Sequence, residues 1–429
     1  MTVAGDVKLA AQGGRKAVTT DMGDLFTWPI VTSEDEQAVL EVLRRGAMSA
    51  TDVTQKFEAD LAAYFDKKHA LCHNTGTAAI QAALWACGVR RGDEVIAQSM
   101  TYWGTSLQVF SLGATVVFAE MEPQSLCLDP ADIERHITDR TKAIVPVHYS
   151  GYPTDMDPVM EIARRHDLKV VEDVSHAQGG LYKGRLLGTI GDVGAMSIMS
   201  GKSLACGEGG FLVTDDDGIY ERAAAFGHYE RIPGLENPDL SRLKGMPIGG
   251  YKHRMHQLSS AVGRVQLRYY DERVAEIQQA MNYFWDQLEG VQGIRPHRPP
   301  QESGSTMGGW YAAKGLYVAE ELDGLPVARF CEGVNAEIEG SGCRITPGAN
   351  ILMHEHPMLN EFDVFGDGKP TRIAFSDRDL RQPAGSLPVT ETLPGRCYSI
   401  PWFKHHRPAV IDQFVAAFRK VSENADQLR

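Results

Sequence analysis

At 429 residues the chain is longer than one hydrophobic core usually spans, so two lobes are expected. Its 43 basic against 56 acidic side chains leave a formal charge of -13, which argues against a general nucleic-acid or anionic-membrane surface. Seven scattered cysteines without a CxxC pair suggest neither a disulfide framework nor a zinc site, and nothing resembles an export signal or a spanning segment, so the expectation is reduced thiols in the cytoplasm.

Residues 1–20 carry Gly, Ala, Thr and Lys without periodicity and read as a flexible arm. Thr32-Ser33-Glu34-Asp35 then opens a helix, with a hydroxyl N-cap, acidic first-turn residues and apolar Val39, Leu40 and Leu43. Residues 21–45 are assigned to an N-terminal helix that packs with the small domain. From about residue 70, short apolar strands alternate with amphipathic helices: Glu94–Ala97, Thr115–Phe118, Ala143–Val147, Leu168–Glu172 and Gly210–Thr214 read as strands. That alternation predicts an α/β fold whose mostly parallel sheet is covered on both faces. A long amphipathic helix over Glu272–Glu289 connects to a second lobe rich in Gly, Pro and Ser, and Pro408 opens a last helix. The expected division is a large domain over 46–275 and a small one over 276–429.

Chemistry concentrates in three places. Lys202 stands in Gly201-Lys202-Ser203-Leu204-Ala205-Cys206-Gly207-Glu208-Gly209-Gly210, where its amine can form a Schiff base with a cofactor aldehyde and later shuttle protons. Asp173 ends a parallel strand, the edge at which ligands collect, and a carboxylate there would keep a pyridine nitrogen protonated. Glu172 should point the other way. His176 is placed against the cofactor ring or near its phenolic oxygen, or else is a packed histidine. Asn74-Thr75-Gly76-Thr77-Ala78-Ala79 reads as a strand-turn-helix junction whose free N–H groups and Thr77 hydroxyl suit a phosphate, with Ser197 a second hydroxyl for it. Tyr102, in preference to Trp103, is the candidate for stacking on the pyridine. Together these are the parts of a pyridoxal phosphate site.

On these motifs, with Lys183-Gly184-Arg185, Gly188 and Gly191-Asp192, the chain resembles the sugar and cyclitol aminotransferases of the DegT/DnrJ/EryC1/StrS family. The resemblance implies a fold type I transferase with a seven-stranded large-domain sheet and a smaller α/β C-terminal domain. It also implies that Lys202 is the covalent anchor, Asp173 the partner of the pyridine nitrogen and Tyr102 the stacking ring, with Gly76, Thr77 and Ser197 on the phosphate. Members are homodimers with shared active sites, in which a Gly-Tyr-Asn-Tyr-Arg-Met segment sends its asparagine to the partner's phosphate. Here the segment reads Gly250-Tyr251-Lys252-His253-Arg254-Met255. Lys252 is assigned either to the cofactor phosphate or to an anionic substrate.

The expected reaction moves an amino group from glutamate or glutamine to a ketone of a sugar, sugar phosphate or cyclitol. Three rivals share these residues: an aminodehydratase of the 3-amino-5-hydroxybenzoate synthase type, a nucleotide-ketosugar aminotransferase, and a pyridoxal phosphate-binding regulatory protein. His253, Arg254, His405 and His406 are further candidates for the lining of the site.

Overall fold

Strands of five residues with almost no exposed position require cover on both faces, and the computed structural model, which describes residues 8–429, supplies it. The central sheet comprises β1 (His69–His73), β2 (Glu94–Gln98), β3 (Thr115–Ala119), β4 (Thr141–Val145), β5 (Lys169–Asp173), β6 (Val193–Ser197) and β7 (Gly210–Thr214). Their spatial order is β1-β7-β6-β5-β4-β2-β3, with β7 antiparallel to both neighbours and the other pairings parallel. Alternation along each strand feeds two cores: Ile144, Val170, Phe211 and Val213 enter one, while Val145, Val171 and Leu212 enter the other.

Helices α1 (Ser33–Arg44), α2 (Asp52–Tyr64), α3 (Gly76–Ala86), α4 (Met156–Arg165), α5 (Asp217–Gly227) and α6 (Gln257–Arg268) surround this sheet. Phe57 and Leu61 of α2 join Met156 and Val159 of α4 in one core, and the alanine-rich α3 packs with Ile219 and Ala223 of α5 in the other. The long α7 (Tyr270–Gln287) leads to a second lobe, where β8 (Ile294–Pro296), β9 (Lys314–Tyr317) and β10 (Cys397–Ser399) form an antiparallel sheet. There α8 (Val327–Glu337) and α9 (Pro408–Glu423) bury Phe330, Val334, Phe414 and Phe418 against Phe284 of α7. Among the described residues no helix is long and apolar enough to cross a membrane.

Packing redraws the expected boundaries in three ways. Residues 1–7 of the arm lie outside the described residues, but residues 8–20 are held: Leu9 and Val18 are buried in the small-lobe core. The amides of Ala10 and Ala17 donate to the buried Glu337 carboxylate at 2.8 and 3.0 Å. Aperiodic composition hid this, because beyond one short 3-10 turn over Ala10–Gln12 the arm is fixed by a few inserted side chains. Helix α1, conversely, belongs with the large domain. Its Asp35 accepts from Gln266 of α6 at 2.8 Å, and Glu34 pairs with Arg268 at 2.7 Å. The third change concerns the C-terminal half. Met353, Leu359 and Leu387 return to the large-domain core, and Gln382 exchanges bonds of 2.9 and 2.7 Å with the backbone of Phe118. That segment covers the edge strand β3, whose free backbone groups would otherwise need solvent or another chain.

Beneath the turn after β1, His73, His228 and His253 pack with ring centroids 4.8 and 5.8 Å from His73. Burial pushes His73 well below the usual histidine range, His228 down to about 3 and His253 to about 4. The folded state therefore keeps these rings neutral while the unfolded chain takes up protons below about pH 6.5. Their stabilising effect is complete above that pH. It is lost as pH falls toward 4, at about 1.4 kcal/mol per pH unit for each group. Urea midpoints measured from pH 7.5 to pH 5 should drop accordingly, and His228→Gln, which keeps a donor for the Cys72 carbonyl, should flatten the slope. An unchanged slope would contradict the assignment.

Candidate active site

Because β1, β2, β5 and β6 run parallel, the residues following each emerge at one edge of the sheet, as open α/β folds require of a ligand site. There they enclose a cavity of about 640 Å³ whose lining includes Gly76, Thr77, Tyr102, Asp173, His176, Ser197 and Lys202. The sequence separated these residues by up to a hundred positions and more; the topology brings all seven together. Lys252 is not among them. It is exposed outside the cavity, its ammonium 5.7 Å from the ring centroid of Tyr229, while its neighbours His253 and Met255 are buried and Arg254 bridges to His73 at the end of β1.

One wall is the start of α3. Thr75 caps the helix by accepting from the Ala78 amide at 3.0 Å, and the first-turn N–H groups of Gly76 and Thr77 have no partner within the helix. An added Cβ at Gly76 would lie 2.5 Å from Cβ of Ser197, so glycine is what lets α3 approach the end of β6. Backbone amides, the Thr77 and Ser197 hydroxyls and a helix N-terminus together make an anion cradle.

Asp173 is 3% exposed at the end of β5. One carboxylate oxygen accepts from the Thr105 hydroxyl at 2.6 Å and the other from the Ser175 amide at 3.0 Å. Glu172, on the opposite side as pleating demands, is fully buried and accepts from the amides of Gly188, Ile190 and Gly191 at 2.9, 2.7 and 2.6 Å. Its work is structural.

Lys202 hangs from the loop between β6 and β7. Its amide donates to the Met199 carbonyl at 2.8 Å, and its own carbonyl accepts from the Trp28 indole at 2.8 Å. The ammonium lies 3.9 Å from the centroid of Tyr311 and the residue is 7% exposed. Burial pushes it down to about 8, a shift partly opposed by the charge of Asp173. His176, between Tyr149 and Tyr311 at 5.5 and 5.0 Å, accepts from the Ser150 amide at Nδ1, so its neutral ring carries the proton on Nε2. Burial, and then the nearby Lys202 and Lys314, hold it well below the usual histidine range.

Tyr102 and Trp103 stand at the mouth, 47% and 44% exposed, with ring centroids 4.8 Å apart. The other C-terminal candidates lie elsewhere: His253 sits in the histidine cluster, Arg254 over Tyr229, and His405 on Glu276 at 3.1 Å, with His406 packed on Tyr283. Sequence reasoning missed Thr105, Tyr311 and Asn350. Thr105 falls three residues after Tyr102 in the helical turn Trp103–Ser106, a spacing that places both on one face. Tyr311 and Asn350 come from the second lobe and carry no local signal.

The chain is 31% identical over 421 residues to L-glutamine:2-deoxy-scyllo-inosose aminotransferase of Micromonospora echinospora, covering 94% of this chain and 95% of that protein. It is 38% identical over 244 residues to GDP-perosamine synthase of Caulobacter vibrioides, covering 56% and 64%. Its fold superposes on an aminotransferase from Psychrobacter cryohalolentis with a TM-score of 0.77 and 27% identity, over 93% of this chain and 99% of that one. A match to the DegT/DnrJ/EryC1/StrS aminotransferase family spans residues 29–322, and the chain belongs to that family.

Proposed function

We propose that this protein is a pyridoxal phosphate-dependent aminotransferase that moves an amino group from glutamine or glutamate to the ketone of a sugar or cyclitol. The observation that carries the reading is the meeting of Lys202, Asp173 and the α3 N-terminus in one cavity. The residues fit the cofactor. The cradle at Gly76, Thr77 and Ser197 would take its phosphate, Asp173 its pyridine nitrogen, and Lys202, with an amine titrating near neutrality, its aldehyde carbon. Tyr102 and His176 would bound the ring. When bound, pyridoxal phosphate supplies an electron sink for the carbon that loses a proton. Lys202, once released by the incoming amine, takes the proton from the α carbon of the donor and delivers one to the former carbonyl carbon of the acceptor. Tyr311, backed by Trp402, forms part of the cavity wall beside Lys202, and Thr105 and the Ser175 amide keep the Asp173 carboxylate in place.

Likeness along nearly the whole chain to a glutamine-dependent cyclitol enzyme, against a shorter match to a nucleotide-sugar enzyme, supports the cyclitol branch and glutamine as donor. A homodimer is part of the proposal. Exposed Tyr229 lies beside Lys252, and exposed Met246 and Ile248 precede it by a few residues; these apolar groups suit burial by a second copy, whose phosphate cradle Lys252 would then reach. The scattered free thiols support a cytoplasmic setting.

The test supplies pyridoxal phosphate, adds L-glutamine while following cofactor absorbance, and then adds 2-deoxy-scyllo-inosose and looks for its amine by mass spectrometry. Donor-dependent loss of the absorbance and its recovery with the ketone are expected. Absorbance that no donor alters would favour a regulatory role and defeat the proposal.

A further inference from the structure

Asn350 enters the cavity from the second lobe, and its amide is fixed at one end only. The Tyr149 hydroxyl accepts from the Asn350 backbone amide at 3.2 Å and donates its proton to Oδ1 at 2.6 Å. Tyr149 is 1% exposed, and burial pushes its phenol up, so it stays a donor. This orients the carboxamide: Oδ1 is taken, and Nδ2 is the end left to face a ligand in the cavity that Asn350 lines.

The backbone around it is braced from both sides. Before Asn350, the Gly348 carbonyl accepts from Lys314 Nζ at 3.0 Å and the Gly348 amide donates to the Cys397 carbonyl at 2.7 Å. After it, Leu352 bridges Met100, and the Met353 amide donates to the Ser99 carbonyl at 3.2 Å. Ser99 and Met100 run directly into Thr101 and Tyr102 at the mouth. A donor held this firmly is preorganised for one position.

Charge narrows what it meets. Among the described residues that this chain itself contributes to the lining, Lys202 is the one cation, beside Asp173 and Glu208. Tyr149, His176 and Tyr311 link Asn350 to Lys202 through successive ring contacts, and His176 and Tyr311 line the cavity. Away from the backbone cradle at the start of α3, a carboxylate or phosphate favours a charged partner, whereas a single amide N–H beside neutral rings matches a hydroxyl oxygen.

We infer that Asn350, oriented by Tyr149, donates from Nδ2 to a ring hydroxyl of a neutral polyhydroxylated ketone and so selects the amino acceptor. The inference rests on the aminotransferase reading and assigns its acceptor class. Asn350 is the specificity-determining group and Tyr149 a positioning residue.

The experiment uses the pyridoxal phosphate-loaded full chain and follows the two half-reactions separately, with L-glutamine as donor and 2-deoxy-scyllo-inosose as acceptor. Asn350→Leu should raise the acceptor KM roughly 10- to 100-fold while the rate with L-glutamine stays unchanged, and it should lower the melting temperature modestly because the buried Tyr149 hydroxyl loses its acceptor. Asn350→Asp, whose free oxygen can accept from a hydroxyl, should lose less than the leucine variant. Tyr149→Phe should raise acceptor KM with kcat largely kept, since the amide is then free to turn. Equal slowing of both half-reactions, or an acceptor KM that none of the variants moves, would overturn the assignment while leaving the aminotransferase reading intact. Preference of the wild type for a GDP-linked ketosugar over the inosose would overturn the neutral acceptor class. Failure of the wild type with every donor would defeat the aminotransferase reading, and this inference with it.

Discussion

Lys202→Ala is expected to leave a folded protein that holds pyridoxal phosphate without a covalent bond and transfers amino groups at least roughly 10³-fold more slowly. Folding should survive because the side chain is buried without a hydrogen bond of its own: the ties at this position run through the backbone, to Met199 and Trp28. Removing a buried ammonium that only the charge of Asp173 and the face of Tyr311 compensate relieves a desolvation cost, so the melting temperature should not fall. The same environment sets a pH dependence. A charged amine cannot attack an aldehyde, and at pH 7 an ordinary lysine is neutral in only roughly one molecule in several thousand. Lowered to about 8, Lys202 is neutral in roughly one in ten. Covalent capture of pyridoxal phosphate by the apoprotein should therefore accelerate as pH rises toward 8 and level off above it. Borohydride reduction followed by peptide mass spectrometry gives the position, and a label on any lysine other than Lys202 would refute the assignment.

Much of this site was legible because its chemistry is local. Asp173 closes an apolar strand, Gly76 opens a small-residue helix, and Lys202 lies between glycines; each carries its meaning in its immediate neighbours. The parallel sheet then has little freedom over where those ends gather. What could not be read depends on distant segments meeting. Nothing near residue 350 says that the chain returns to brace against Ser99, nor that Gln382 closes the edge of β3. The arm over residues 8–20 illustrates the same limit in reverse: a stretch without periodicity is pinned by Leu9, Val18 and the shared carboxylate of Glu337. Helix α1 was recognised from its cap and apolar spacing, but its neighbour was misjudged. An amphipathic face states that it needs a partner and not which one. Lys252 shows why residue identity alone was insufficient too, since its segment runs alongside the end of β1, with Arg254 bridged to His73, and leaves Lys252 outside its own chain's cavity.

Asp173→Asn should separate cofactor capture from turnover. The substitution keeps shape, but the two contacts of the carboxylate restrict the new amide. The Ser175 amide can only donate, so it holds the remaining oxygen, and Nδ2 is forced toward Thr105, whose hydroxyl can rotate to accept. The amide then presents a donor where the pyridine nitrogen would bind, and that nitrogen can no longer be kept protonated. Loss of the electron sink should lower kcat/KM roughly 10²- to 10³-fold, judged from the removal of one preorganised electrostatic group in other active sites. Capture should move the opposite way. Asp173 raises the Lys202 pKa, so without its charge the amine is neutral more often and takes pyridoxal phosphate faster at pH 7. Stopped-flow capture and steady-state turnover on one preparation measure both. A variant slower in both would indicate a distorted site, whereas faster capture with slower turnover is the signature of a carboxylate that acts on the ring and on Lys202 through its charge.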